Sequence, residues 1–319
     1  MSDLLNTAFY YVLNMGISAA VVILLVLLVR RVRAIPRTLI YAFWSVAFLR
    51  LLLPFSLPSP FSLFNFTGGL IKRVVCMDAA VPTGPAAGGA SLHLTMTNSI
   101  GAAVDYSPVT YRTPAVRDFF AVASDIWLIG ALVCLLTAVV LYAFTRVELR
   151  KAVHIEGNTF ASDMVGSPML VGVFRPRVIV PAGFDVRSEQ GRFVLAHEAV
   201  HRKRLDNLWR VLAIAVVCFH WFNPFAWLLL KCFFTDMELS CDERVVKRFA
   251  LDERKRYAQA LVGFAEGRRF LMSTSFGRSA VKVRVMNVLN YKRLTTVGAI
   301  VSLLFLIALA VLFITNPQR

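Results

Sequence analysis

The run from Leu5 to Val29, about 25 residues broken only by Asn6, Thr7, Asn14 and Ser18, most limits what this chain can become. At 1.5 Å per residue it exceeds the hydrocarbon thickness of a bilayer, and a helix is the only single-segment structure that satisfies its own backbone there. It is too long for a signal peptide, and no small-residue cleavage site follows it, so it reads as a retained membrane helix. Three further apolar runs follow. Leu39 to Leu53 is closed by Pro54, Pro58 and Pro60 and carries Arg50 near its far end, placed to snorkel or to meet a partner in the bundle. Phe119 to Phe144 holds Asp125 near its start, and Leu294 to Ile314 follows Tyr291-Lys292-Arg293. The composition agrees: 57% of residues are hydrophobic and the mean hydropathy is +0.64, well above a soluble domain of this size.

Charge orients these runs. With four spans, residues 30–38 and 145–293 share one side of the membrane and hold 29 of the 35 basic residues, against 14 acids. By the positive-inside rule that side is cytoplasmic, and both termini are external. Most of the +16 net charge is thereby explained without direct nucleic-acid binding. The fold class expected is a mainly α, polytopic protein of the cytoplasmic membrane, with four transmembrane helices and a cytoplasmic domain containing a small β-sheet. Its divisions are 1–53 (two helices and a basic turn), 54–118 (an external loop), 119–145 (a third span), 146–293 (the cytoplasmic domain), 294–315 (a fourth span) and 316–319 (a tail). The loop, with AAVPTGPAAGGAS and a lone His93, has no helical or strand period for most of its length and is expected to be flexible. None of the five cysteines forms a CxxC pair, so neither a disulfide framework nor a thiolate zinc ribbon is implied.

Within the cytoplasmic segment, Val153–Glu156, Pro168–Val173 and Val178–Pro181 read as short strands. Ser188 is a natural N-cap for a helix that continues through FVLAHEAVHRKRL. Leu205 to Phe222 reads as an interfacial or re-entrant helix, Asn223-Pro224 breaks it, and helices resume over 225–249 and 252–266.

His197 and His201 are four apart, so on a helix their imidazoles stack on one face and reach a single tetrahedral Zn2+. Glu198 lies on the flank of that face, where it accepts a proton from water without ligating. A hydrolytic site needs a third protein ligand. Downstream, in MELSCDE, Glu238 and Asp242 share a helical face whereas Glu243 points away. An HExxH followed by ExxxD resembles the gluzincin pattern, in which the glutamate is the third ligand and the aspartate orients the first histidine. Cys241 and His220 are the competing donors: the first a lone thiol, the second set within an apolar helix.

HEAVHRKRLDN, FNPFAW and ELSCDERV, preceded by SPMLVGVFRPRVIVP, resemble the M56 membrane metallopeptidases, the protease portion of BlaR/MecR sensor–transducers, over nearly the whole chain. The resemblance implies zinc ligands His197, His201 and Glu238, a general base in Glu198, and a BlaI/MecI-type cytoplasmic repressor as substrate. It also implies self-cleavage at Ser275–Phe276. An edge strand that holds substrate is expected at Leu170–Val173. The sequence carries no counterpart of the family's penicillin-binding sensor after the last apolar run. The signal is therefore expected to enter through the 54–118 loop or through a partner such as a separate sensor subunit, or to be no antibiotic at all; a homodimer is a further expected partner. Two other readings stand beside this one: a non-catalytic membrane transducer with a structural metal, and a quality-control membrane zinc protease.

Overall fold

The computed structural model describes residues 2–32, 35–56, 58–59, 95–96, 114–266, 275–291, 296–314 and 316–317. The expected flexible loop, with His93, lies almost wholly outside the described residues. Among those described, the protein is mainly helical with one four-stranded sheet.

Helix α1 (Ser2–Arg30) and α2 (Arg37–Leu52) form a hairpin, and α3 (Pro114–Glu148) lies against the amino-terminal half of α1. Ser124 Oγ donates to Asn6 Oδ1 at 2.7 Å, and the rings of Phe120 and Trp127 each lie 5.9 Å from that of Phe9. The sheet consists of β1 (Val153–Glu156), β2 (Thr159–Ser162), β3 (Met169–Val171) and β4 (Arg177–Pro181), in the order β1-β2-β4-β3. Strand β4 pairs parallel to β2 and antiparallel to β3, and it buries Val178, Ile179 and Val180 in succession, as a strand covered on both faces does. The β2 segment, TFAS, carries no Val, Ile or Leu to announce it as a strand, and the sequence reading does not include it.

Helix α4 (Glu189–Arg204) begins where Ser188 Oγ accepts the Gly191 amide at 3.0 Å. It ends at Leu205, a non-glycine residue with φ +57°, whose left-handed turn reverses the chain into α5 (Asp206–Phe219). Asn223 Oδ1 accepts the Phe225 amide at 2.9 Å and starts α6 (Pro224–Val246), with proline where a missing N–H costs nothing. Helices α7 (Leu251–Glu266), α8 (Ser275–Leu289) and α9 (Thr296–Ile314) follow.

The expectation of four spans is corrected. Among the described residues two helices are long and apolar enough to cross a membrane, Leu4–Arg30 and Asp118–Lys151. Helix α2 has 16 residues, about 24 Å, which falls short of the hydrocarbon core. Its apolar residues serve a protein interior instead: Phe43, Trp44 and Phe48 are buried with Val22, Ile23 and Val26 of α1 and Leu229, Phe233 and Met237 of α6. Arg50 is buried in the same bundle and does not snorkel. The last apolar run forms α9, whose side chains are described only in part. It lies against α2, with Phe305 5.7 Å from Phe43 ring to ring.

Helix α6 ties the hairpin to the rest of the molecule. Arg30 Nε reaches both oxygens of the fully buried Asp236, at 3.0 and 2.9 Å, and Trp44 Nε1 donates to Oδ2 at 3.0 Å. Pro36 offers α2 no side-chain cap; instead Glu243 accepts the amides of Arg37 and Thr38 and the Thr38 hydroxyl, each at 2.9 Å. A carboxylate from another helix thus meets both the orphan donors and the positive dipole end of α2.

Candidate metal centre

The site stands on α4 and α6, clamped by α7 and α8. Phe193, Val245, Val246, Tyr257, Ala258 and Val288 form the core that joins these four helices. On α4, one turn separates His197 from His201, and their Nε2 atoms approach to 3.0 Å. Two nitrogens sharing a tetrahedral Zn2+ at about 2.05 Å stand about 3.3 Å apart, so the pair is already set to metal-binding spacing.

Each Nδ1 faces an acid. Asp206 Oδ2 lies 2.6 Å from His201 Nδ1, returned to it by the turn at Leu205, and the Arg204 guanidinium holds the same carboxylate. Asp242 Oδ1 lies 3.2 Å from His197 Nδ1, and the Tyr257 hydroxyl lies 3.0 Å from that nitrogen and donates to Asp242 at 2.7 Å. Protons fixed on Nδ1 leave both Nε2 lone pairs turned toward one point.

Two further donors reach that point from α6. Glu238 Oε2 is 3.4 Å from His197 Nε2 and Oε1 is 3.5 Å from His201 Nε2. Cys241, one turn on and fully buried, has its Sγ within 4.8 Å of the ligand atoms of both histidines and 3.4 Å from the His197 carbonyl oxygen. His197, His201 and Cys241 form a cluster with the geometry of an HExxH-type zinc site. The donor set fits Zn2+: two neutral imidazoles, a carboxylate and a thiol, in a pocket whose second rank is acidic. His220 is not part of it; its Nε2 meets the Leu51 carbonyl at 3.1 Å.

Two arginines complete the site, and nothing in the sequence pattern announced them. Arg210 donates to Glu238 Oε1 at 2.7 Å. Arg284 of α8 forks onto Asp242 with two 2.8 Å bonds and brings nitrogens to 3.4 Å from Glu238 Oε2 and 3.3 Å from His197 Nε2. Burial alone raises the Asp242 carboxyl, but the charge and hydrogen bonds of Arg284, with those of His197, hold it down at about 2. Burial likewise opposes ionisation of Asp206, and His201 and Arg204 hold it below its usual value.

Glu198, buried on α4 beside His197, lines a cleft of about 550 Å³ between α4 and the β1–β2 turn. Strand β3, expected to hold substrate, does lie at an edge of the sheet. Its carbonyls at Leu170 and Gly172 accept from Asn207 Nδ2 at 3.0 and 2.8 Å, so this edge is already partly engaged. Gly172 closes the strand at φ +102°, with the Arg175 carbonyl 3.0 Å from where a Cβ would stand. Asn207 Oδ1 in turn takes Arg210 at 3.4 Å, which joins the edge strand to Glu238. Ser275 and Phe276 form the first turn of α8, with their side chains outside the described residues.

Comparison with known proteins follows from this geometry. The family described as BlaR1 peptidase M56 matches residues 10–288. The regulatory protein BlaR1 of Bacillus licheniformis is 31% identical over 138 residues, covering 41% of this chain and 23% of that protein. The methicillin resistance mecR1 protein of Staphylococcus aureus is 21% identical over 160 residues, covering 43% of this chain and 27% of that protein. The matches therefore span about a quarter of the length of these relatives.

Proposed function

Because this chain belongs to the BlaR1 peptidase M56 family, we propose that it is a membrane-held zinc endopeptidase that relays a signal by cutting a cytoplasmic protein. The observation that carries this reading is the convergence of the two Nε2 atoms at 3.0 Å with both Nδ1 atoms anchored to carboxylates. Zn2+ bound there supplies Lewis acidity toward a peptide carbonyl and makes water acidic enough to ionise near neutral pH. His197, His201 and Glu238 are its ligands; Asp206 and Asp242 orient the imidazoles, and Arg210 and Arg284 hold the Glu238 carboxylate. Cys241 lines the site as a thiol next to the His197 carbonyl. Glu198 takes the proton from the attacking water and returns it to the leaving amine.

The zinc module faces the cytoplasm in this reading, supported by the concentration of basic residues in 145–293. The substrate class is a repressor of the BlaI/MecI type. The Ser275–Phe276 bond is the site of self-cleavage. It lies in a helix's first turn, where unwinding costs least, and tethering gives it a high effective concentration.

The test is co-expression with a BlaI/MecI-type repressor, wild type against Glu198→Gln. The reading requires zinc in both proteins and cleavage in the wild type alone. Equal cleavage in both would remove Glu198 from its role, and zinc without cleavage in either would leave the metal structural.

A further inference from the structure

A second cleft, of about 960 Å³, opens beside the neighbouring face of α4, on which Ala196, Ala199, Val200 and Lys203 lie one turn apart from each other rather than with the histidines. Its other walls are the start of α2 and the end of α6. Four exposed cations border it: Lys203, Arg244, Lys247 and Arg248. The single acid in its lining, Glu243, has both oxygens taken by the α2 amides and Thr38, so it offsets little of that charge toward a ligand. Leu39, Phe249 and Tyr291 add apolar surface.

The position of the cleft is as informative as its charge. The apolar run of α1 ends at Arg30, six residues before Pro36 at the cleft wall, and Arg30 is bound to α6 through Asp236. The apolar first half of α6 is packed between α1 and α2, and its polar end emerges here. The cleft therefore lies where the chain leaves the bilayer.

We propose that this cleft binds the phosphate headgroup of an anionic phospholipid of the surrounding membrane. A phosphodiester accepts charge-assisted hydrogen bonds from guanidinium and ammonium groups, and basic pockets beside membrane helices on the cytoplasmic side are suited to such headgroups. The apolar lining suits the glycerol backbone and first acyl carbons, which a free phosphate lacks. The site is separate from the metal and holds whether or not the protein cuts a repressor.

The experiment uses the full zinc-loaded chain in nanodiscs of phosphatidylcholine, with and without phosphatidylglycerol. Retained phospholipid is counted by native mass spectrometry, and acetylation of Lys203 and Lys247 is followed by peptide mapping. The expected result is at least tenfold preference for phosphatidylglycerol, with both lysines protected only when it is present. Each cation removed weakens retention about fivefold, so Lys203→Gln with Arg248→Gln loses about 25-fold. Removing two exposed cations away from the spans and the cleft, Arg175→Gln with Arg187→Gln, leaves retention unchanged. Equal retention of both lipids, or no loss in the cleft variant, overturns the proposal. Protection by inorganic phosphate in phosphatidylcholine discs assigns the site to free phosphate and also overturns it. Should the cleft variant fail to fold, the wild-type labelling decides alone: unchanged acetylation on adding phosphatidylglycerol counts against the site.

Discussion

His197 and His201 are held in different ways, and the difference is measurable. At Nδ1 His201 has the carboxylate of Asp206 alone, whereas His197 meets both Asp242 and Tyr257. Asp206→Asn should therefore weaken zinc binding by roughly 10- to 100-fold, and Tyr257→Phe by less, because Asp242 remains; competition with a chromogenic chelator reads both. Glu238→Ala should lose zinc at micromolar metal, while Cys241→Ser keeps one zinc per chain. The reverse pattern would make the thiol the third ligand. Glu198→Gln should keep zinc and lower proteolysis roughly 10²- to 10⁴-fold. Spacing made the meeting of His197 with His201, and of Glu238 with Asp242, readable in the sequence, because residues four apart share a helical face. Arg284 and Tyr257 had no such signal: each arrives from a separate helix, and its approach is decided by tertiary packing. Asp206 was in plain view five residues past His201, but leucine does not favour the left-handed turn that folds it back.

Helix α2 shows how hydropathy misleads. A helix sealed among α1 and α6 needs the same apolar residues as one facing lipid, and only length and surroundings tell them apart. The sheet was partly readable, since β1, β3 and β4 each carry at least two of Val, Ile and Leu between turn signals, whereas β2 carries none. The borrowed cap on α2 gives a test at this scale. Glu243→Gln keeps the shape but loses the charge that faces three donors, and should cost about 1–2 kcal/mol. Chemical denaturation would register it as a lower midpoint with an unchanged slope. Helix α3 supplies another. A Cβ on Gly130 would stand 2.4 Å from the Trp221 ring, and each indole N–H of Trp127 and Trp221 reaches a carbonyl across that contact. Gly130→Val should separate α3 from the α5–α6 turn, seen as a red shift in tryptophan emission.

At the scale of the molecule, the proposed zinc site would link binding to stability, because its candidate ligands come from helices that share one core. Free zinc at about a thousand times its Kd stabilises the folded chain by about 4 kcal/mol. Chelation should therefore lower the thermal midpoint of the wild type, and of Glu198→Gln by the same amount, since Glu198 is not a ligand. Glu238→Ala should be insensitive to the chelator. Helix α6 carries one more consequence. From Asp236 to Glu243 it runs just under two turns, with no glycine, proline or break. Its acids divide in duty along that length: Asp236 and Glu243 grip the hairpin, while Glu238 and Asp242 between them face His197. The anchors of the hairpin and the Glu238 carboxylate therefore stand on one unbroken stretch of helix, at a fixed rotation relative to each other.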